Sequence, residues 1–261
     1  MDLYGTTIYA VVSDNAASMI KMGKSVDVWH SNCSSHTANL LAKDVMNEDL
    51  TKCVKDILKE FKHSLYEKAL VDIGGTRIVT PCEILVIELF EPICNLINFA
   101  QKYDSSLAEV AHLWLTVCLP QKFWDFQPVL ERRKKMALNI YALVAYFLHP
   151  KYHDDANETL STEIHTFLLH TLDAKGIADF HTFQEKVGIF QTLFKKHIED
   201  PILFWDMTKV YHPNLSSLAL RLQRIPASSA QIERLFSNWS FVHSPIRNRL
   251  EFERSKKLLH I

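Results

Sequence analysis

The strongest constraint on the fold is a series of apolar stripes at helical spacing that runs through the middle of the chain. The chain has only 6 glycines in 261 residues, which argues against a many-turned β architecture. Residues that recur at i, i+3, i+4 and i+7 predict helices with one apolar face. The stripes include Leu107, Val110, Ala111, Trp114 and Cys118; Ile140, Leu143, Val144 and Phe147; Val187, Phe190, Leu193 and Phe194; and Leu215, Leu218, Ala219 and Leu222.

The first part of the chain has a different pattern. Residues 6–14 read TTIYAVVSD, a β-branched apolar run that ends in an acid. Such a run predicts a buried strand with Asp14 at its carboxyl end. A helix then opens at Asn15, and Val26, Val28 and Trp29 predict a second short strand. The predicted fold class is therefore α/β and predominantly helical.

Bulk properties exclude several classes of protein. The formal net charge is −1, so no global field recruits nucleic acid. Charged residues interrupt the apolar stretches well below the roughly 18 residues of a membrane span, and MDLYGTT lacks the layout of a signal peptide. The 5 cysteines are odd in number and irregularly spaced, as in the reduced thiols of a cytosolic or nuclear protein.

The C-terminal end, residues 225–261, has a pattern that is typical of a docking segment. Ser228 is a good helix N-cap, and Gln231 can close a capping box with it. A complete apolar stripe follows, which fits either docking or core packing, and a second short amphipathic helix containing Leu250 and Leu258 ends the chain. The stripe consists of Ile232, Leu235, Phe236 and Trp239.

Asp14 and Glu233 are the candidate site acids. A carboxylate at a strand end can hold Mg²⁺, and a second carboxylate beside it can share the ion. The alternative is structural, because Asp14 can cap the helix at Asn15 and Glu233 can offset the helix dipole in a first turn.

Two other groups of side chains also have two interpretations. Cys33 and His36 are three residues apart, so on a helix they share a face. They could be two of the four ligands of a zinc ion or a Cys-His nucleophile pair. We favour a structural role, in which they pack and form hydrogen bonds at a corner of the fold. Arg132 and Arg133 belong to a basic run that is either a solvated helix end or a phosphate contact.

Three segments together resemble the hAT superfamily of transposases. They are VVSDNAASM with the Cys33-x-x-His36 helix, YALVAYFLHPKYH, and IPASSAQIERLFSNWSFVHSPIRNRL. The resemblance implies a partial ribonuclease-H-like core in residues 1–75, a helical insertion in 76–224, and a C-terminal dimerisation region in 225–261 that completes the core.

The resemblance also implies roles for particular residues. Asp14 and Glu233 match the second and third acids of an Asp-Asp-Glu triad that uses Mg²⁺ and no organic cofactor. Cys33 and His36 match a motif beside the active site. The stripe Ile232, Leu235, Phe236 and Trp239, with Leu250 and Leu258, matches the self-association region. Independently of the resemblance, the candidate DNA backbone contacts are Arg77, Arg132, Arg133, Arg247 and Arg249.

Three departures from the family pattern limit the expected activity. Only thirteen residues precede Asp14, so the first catalytic acid is expected outside this chain, and Asp2 is too close to occupy that strand. The family's zinc-finger domain is absent, and Thr76-Arg77-Ile78 replaces Thr-Arg-Trp.

The expected protein is a truncated or domesticated hAT-type transposase that cannot cut DNA alone. It is nuclear, pairs with itself or related hAT proteins, binds DNA weakly and does not enter membranes. The alternatives are a fragment of an active Mg²⁺-dependent transposase and a host-recruited interaction or transcription-regulating protein.

Overall fold

The computed structural model describes residues 7–46, 81–157 and 162–242 of the chain. The first of these ranges forms a β-α-β-α unit. Its elements are β1 (Ala10–Ser13), α1 (Ala17–Gly23), β2 (Trp29–Asn32) and α2 (Ser34–Val45). Within the described residues, β1 and β2 form the one sheet, and they pair in parallel with Ala10 opposite Trp29.

The second strand begins three residues later than the sequence pattern predicts. Val26 does not belong to the strand, because its N–H donates to the carbonyl of Met22 at 3.2 Å and so closes the turn that ends α1. Val28 also precedes β2, and only Trp29 of the predicted strand is part of it. The start of β2 is therefore determined by its pairing with β1 and not by the strand propensity of Val26 and Val28.

The rest of the described chain is helical, which confirms the predominantly helical class. A 3₁₀ segment also spans Gln121–Phe126, and another spans Pro150–Tyr152. The helices are α3 (Pro81–Ala100), α4 (Leu107–Thr116), α5 (Gln127–Ala137), α6 (Ile140–Phe147), α7 (His153–Asn157), α8 (Thr162–Thr171), α9 (Ala174–Gln184), α10 (Ile189–Lys195), α11 (Pro201–Thr208), α12 (Pro213–Gln223) and α13 (Ala230–Val242).

Among the described residues, no helix is long and apolar enough to cross a membrane. The ribonuclease-H-like arrangement and the domain boundaries at residues 75 and 224 stay predictions.

Local sequence signals explain where several helices begin. Ser106 and Glu109 form a capping box at the start of α4. At α11 the Asp200 carboxylate accepts the N–H groups of Ile202 and Leu203, and Pro201 occupies the first helical position. Two residues of the predicted stripes lie outside the helices. Helix α4 ends before Cys118, helix α10 begins after Val187, and both residues are exposed.

Two hydrophobic clusters form the core. The larger cluster joins α4, α6, α8, α9, α10, α11 and α12, and the buried Trp205 donates its Nε1–H to the carbonyl of Leu148 at 2.8 Å. One face of the sheet packs on this cluster through Val12 and Trp29. The Arg221 guanidinium lies 4.3 Å from the Trp29 ring centroid, a cation–π contact that ties α12 to the sheet.

The smaller cluster packs α2 against α3 and α5. Its buried members include Leu41, Ile93, Trp114 and Leu130, and Ala227 joins it just before α13. This cluster therefore sets the position from which the last described helix leaves the core.

Candidate site at the start of the C-terminal helix

Cys33 joins the two ends of the described chain. It is 1% exposed, and its N–H donates to the carbonyl of Ser13, the last residue of β1, at 2.7 Å. Its Sγ accepts the N–H of Ser229, which directly precedes α13, at 3.4 Å. The next residue, Ser34, donates its N–H to the carbonyl of Ala227 at 3.0 Å. The end of β1, the start of α2 and the start of α13 thus meet at one buried thiol.

The first turn of α13 is also held on the end of α3. Ser228 Oγ donates to the carbonyl of Ala100 at 2.7 Å. Arg234 Nη2 donates to the carbonyl of Gln101 at 3.0 Å, and Gln231 Nε2 donates to the carbonyl of Tyr103. The predicted capping box between Ser228 and Gln231 is therefore wrong, because Gln231 reaches a different helix end.

Ser229 is the site residue that the sequence pattern did not single out. Its Oγ donates to Glu233 Oε1 at 2.6 Å, and its N–H donates to Cys33. The sequence could have indicated Ser229 through its spacing. It lies four residues before Glu233 at a helix start, so its hydroxyl and the carboxylate come within reach of each other one turn apart.

The structure places Asp14 and Glu233 on the two sides of the Cys33 junction. Asp14 follows Ser13, and its Oδ1 accepts the N–H of Ala16 at 3.0 Å just before α1. Glu233 lies in the first turn of α13 and accepts the Ser229 hydroxyl. Glu233 thus lies in a helix first turn, as the structural interpretation predicts. Asp14 does not cap a helix at Asn15, because α1 begins at Ala17 and its N-cap, Ala16, receives no side-chain capping bond.

These contacts bear on the metal that the resemblance implies. Across residues 7–46, 81–157 and 162–242, no group of three or more His, Cys, Asp or Glu side chains is arranged to hold a metal ion. The residues described do not supply the three-acid set of the triad. Mg²⁺ binding by Asp14 and Glu233 stays a prediction.

The Cys33-x-x-His36 motif forms a packing and hydrogen-bonding corner. Besides its contact with Ser229, the thiol lies 3.2 Å from Ser35 Oγ. The carbonyl of Cys33 accepts the Thr37 hydroxyl at 3.1 Å, and Thr37 in turn accepts Asn15 Nδ2 at 2.7 Å. His36 is partly exposed one turn further on. These bonds hold the loop after Asp14 against α2.

The basic run on α5 is paired with an acid on α2. Asp44 Oδ2 accepts Arg132 Nη2 at 2.9 Å and Arg133 Nε at 2.8 Å. The two predicted phosphate contacts therefore share one carboxylate in this structure. Arg77, Arg247 and Arg249, the other predicted DNA contacts, lie outside the described residues.

The apolar stripe of α13 faces solvent. Ile232 is 55% exposed, Leu235 41% and Phe236 64%. None of these three residues belongs to either hydrophobic cluster of the described residues, so the described fold does not bury them in its core. The side chain of Trp239, and Leu250 and Leu258, lie outside the residues whose side chains the structure describes.

A comparison with protein families identifies this end of the chain. Residues 181–261 match the family model described as the hAT family C-terminal dimerisation region. This part of the chain is therefore similar to the dimerisation region of hAT-family proteins. The match begins before the predicted boundary at residue 225 and so includes α10, α11 and α12. A search of curated proteins finds no match.

Proposed function

We propose that this hAT-related chain acts by associating with itself or with related hAT chains through the exposed stripe of α13. The α13 stripe is defined here as Ile232, Leu235 and Phe236. Its exposure is the observation that carries the proposal, because the stripe lies inside the matched dimerisation region.

The geometry of α13 suits a docking helix. Bonds from Ser228, Gln231 and Arg234 hold the start of α13 against the last residue of α3 and the turn that follows it. The apolar side chains one turn further on remain uncovered. A partner helix that buried Phe236 and its neighbours would remove apolar area from water at about 25 cal/mol per Å². Aromatic anchors of this kind often dominate interface energies.

Light scattering coupled to size exclusion tests the proposal. We expect the full chain to run as a dimer at micromolar concentration and Phe236→Asp to run as a monomer with unchanged circular dichroism. Because Phe236 is exposed, the substitution leaves the core intact. A wild-type chain that stays monomeric up to about 100 µM, a concentration at which even a weak dimer with a Kd of that order is half formed, contradicts the proposal.

We further propose that the described residues do not cut DNA by themselves. Asp14 accepts a local backbone hydrogen bond in the turn before α1, and Glu233 accepts the Ser229 hydroxyl at the start of α13. The purified chain should leave supercoiled plasmid intact in the presence of Mg²⁺. Nicking that disappears in Glu233→Gln would support the alternative, a fragment of an active transposase.

Weak DNA contact and a nuclear location complete the proposal. Asp44 neutralises part of the charge that Arg132 and Arg133 would offer to phosphate. We therefore expect Asp44→Ala to raise affinity for a DNA duplex several-fold and to steepen its salt dependence. Equal affinity in both proteins would remove these arginines from any DNA-binding role.

A further inference from the structure

A continuous chain of hydrogen bonds leads from the turn after β1, through α2, to the start of α13. The turn, called here the Asp14 turn, consists of residues 14–16. Its Asn15 donates Nδ2–H to Thr37 Oγ1 at 2.7 Å. The Thr37 hydroxyl donates to the carbonyl of Cys33 at 3.1 Å. Cys33 Sγ in turn accepts the N–H of Ser229, directly before α13, at 3.4 Å. Residues far apart in the sequence are thus joined by successive bonds.

Thr37 is the link on which this chain of bonds depends. It is 0% exposed, so solvent does not replace a partner that is lost. A hydroxyl has one hydrogen to donate, and Thr37 donates it to Cys33. The oxygen can then only accept from Asn15, which turns the NH₂ group of that amide towards α2. Because successive hydrogen bonds polarise one another, a change on one side of Thr37 alters the bond on the other side.

Two bonds to the start of α2 hold the segment that leads into α13. One is the bond from the Ser229 N–H to Cys33 Sγ. The other runs from the Ser34 N–H to the carbonyl of Ala227 at 3.0 Å. Segments that few bonds hold open locally at a lower free energy than the whole protein unfolds. Local opening of the α13 start breaks both bonds, so the α13 start has a docked and an open state.

We propose that Asn15 and Thr37 are positioning residues, which couple the order of the Asp14 turn to the docking of the α13 start on α2. Each end stabilises the other, because one buried hydroxyl is bonded towards both. The consequence for association rests on the proposed function. A partner that binds the α13 stripe favours the docked start and so orders the Asp14 turn, and by reciprocity an ordered turn strengthens association.

Amide hydrogen exchange measured by NMR tests the coupling, with Phe236→Asp as the parent protein so that association does not contribute. One reporter is the Ala16 amide, which donates to Asp14 Oδ1 at 3.0 Å in the turn. The other is the Ser229 amide at the start of α13. Thr37→Val removes the hydroxyl and keeps the shape of the side chain. We expect it to speed exchange at both amides about tenfold, as the loss of a buried hydrogen bond predicts.

Thr208→Val is the matched control. Thr208 is also 0% exposed, and its hydroxyl also has two partners, the carbonyl of Trp205 and Ser216 Oγ. It lies in α11, outside the chain of bonds. Exchange at the two reporter amides should therefore stay within about twofold of the parent protein, as for distant independent sites. Thr37→Ser restores the hydroxyl and should bring both rates back towards those of the parent.

Asn15→Ala tests the same coupling at a position that is only partly buried, so it remains informative if Thr37→Val does not fold. The side chain of Asn15 is bonded to α2 and not to α13. Its removal should nevertheless speed exchange at the Ser229 amide several-fold. An unchanged Ser229 rate in Asn15→Ala would contradict the coupling.

The wild-type dimer tests the consequence for association. At protein concentrations well above the Kd, both reporter amides should exchange more slowly than in the Phe236→Asp monomer. In Thr37→Val association should slow the Ser229 amide and leave the Ala16 amide unchanged, because the link between them is broken. Equal slowing of both amides in Thr37→Val would show that association acts on the Asp14 turn by another route, which contradicts the role of Thr37.

Two results in the monomeric parent would overturn the coupling. Faster exchange at only one reporter amide in Thr37→Val would show that Thr37 supports that end alone. Equal effects of Thr37→Val and Thr208→Val would show a general loosening of the protein. A wild type that stays monomeric would contradict the proposed function and its consequence here, whereas the coupling is still measured in the monomer.

Discussion

Helices α12 and α13 carry the same apolar spacing and have opposite environments. In α12 the stripe is covered, with Leu215 0%, Leu218 4%, Ala219 0% and Leu222 0% exposed. In α13 the stripe Ile232, Leu235 and Phe236 is open. The difference lies in the neighbours, since α12 packs against α11, α9 and α6, whereas the described hydrogen bonds from α13 to the end of α3 come from Ser228, Gln231 and Arg234 at its start. An apolar stripe thus indicates a face that needs a cover, and the fold decides whether that cover lies in the same chain.

The largest expected effect is on the covered stripe. Leu222→Ala leaves a cavity among α12 and its neighbours, so it should lower the free energy of unfolding by about 2–5 kcal/mol. Leu235→Ala should lower it by less than about 1 kcal/mol, because its side chain is already partly in water. Urea denaturation at submicromolar protein concentration measures both values without a contribution from dimerisation. Equal losses in the two variants would show that α13 is part of the core.

The covered side of the molecule should also be sensitive to acid. Burial lowers the pKa of His149, just after α6, from 6.5 to about 4. The unfolded chain takes up this proton first, so stability is full above about pH 6.5 and falls as the pH drops towards 4. The loss is on the order of 3 kcal/mol for a shift of this size. Thermal unfolding from pH 7 to 4 should show a smaller loss in His149→Gln, and an unchanged slope would contradict this assignment.

A smaller effect is expected where α13 is anchored. Cys33→Ala removes the acceptor of the Ser229 N–H and the thiol that fills the junction, at a cost of about 1–2 kcal/mol. Hydrogen exchange at the Ser229 amide should become faster. The exchange rates of amides in α12 should rise only by the amount that the lower free energy of unfolding of the whole protein explains. Unchanged Ser229 exchange would mean that the bonds of α13 to α3 hold the helix start without Cys33.

Periodicity was sufficient to predict most of the helical part of the fold. The stripes of α4, α6 and α12 depend on local spacing, and each has a buried face in the structure. Spacing does not fix where a helix begins or ends, so Cys118 and Val187 lie outside their predicted helices. The start of β2 depends on pairing with β1, a contact between distant residues that local propensity cannot report.

The candidate site was predictable only in part. The motif around Cys33 and the acids Asp14 and Glu233 were visible in the sequence, and the structure brings their segments to one junction. The spacing of Gln231 from Ser228 fits a capping box. Its actual acceptor, the carbonyl of Tyr103, becomes available only after α3 has packed beside the start of α13. Long-range packing also decides that the α13 stripe is exposed.

The most direct test of the central claim compares two leucines in the matched region. Leu235 on α13 is 41% exposed and Leu203 on α11 is 50% exposed, so neither supports the core strongly. We expect multi-angle light scattering at micromolar concentration to give a dimer for the wild type and Leu203→Asp, and a monomer for Leu235→Asp. Dimers of all three proteins, or a monomeric wild type, would contradict association through the α13 stripe.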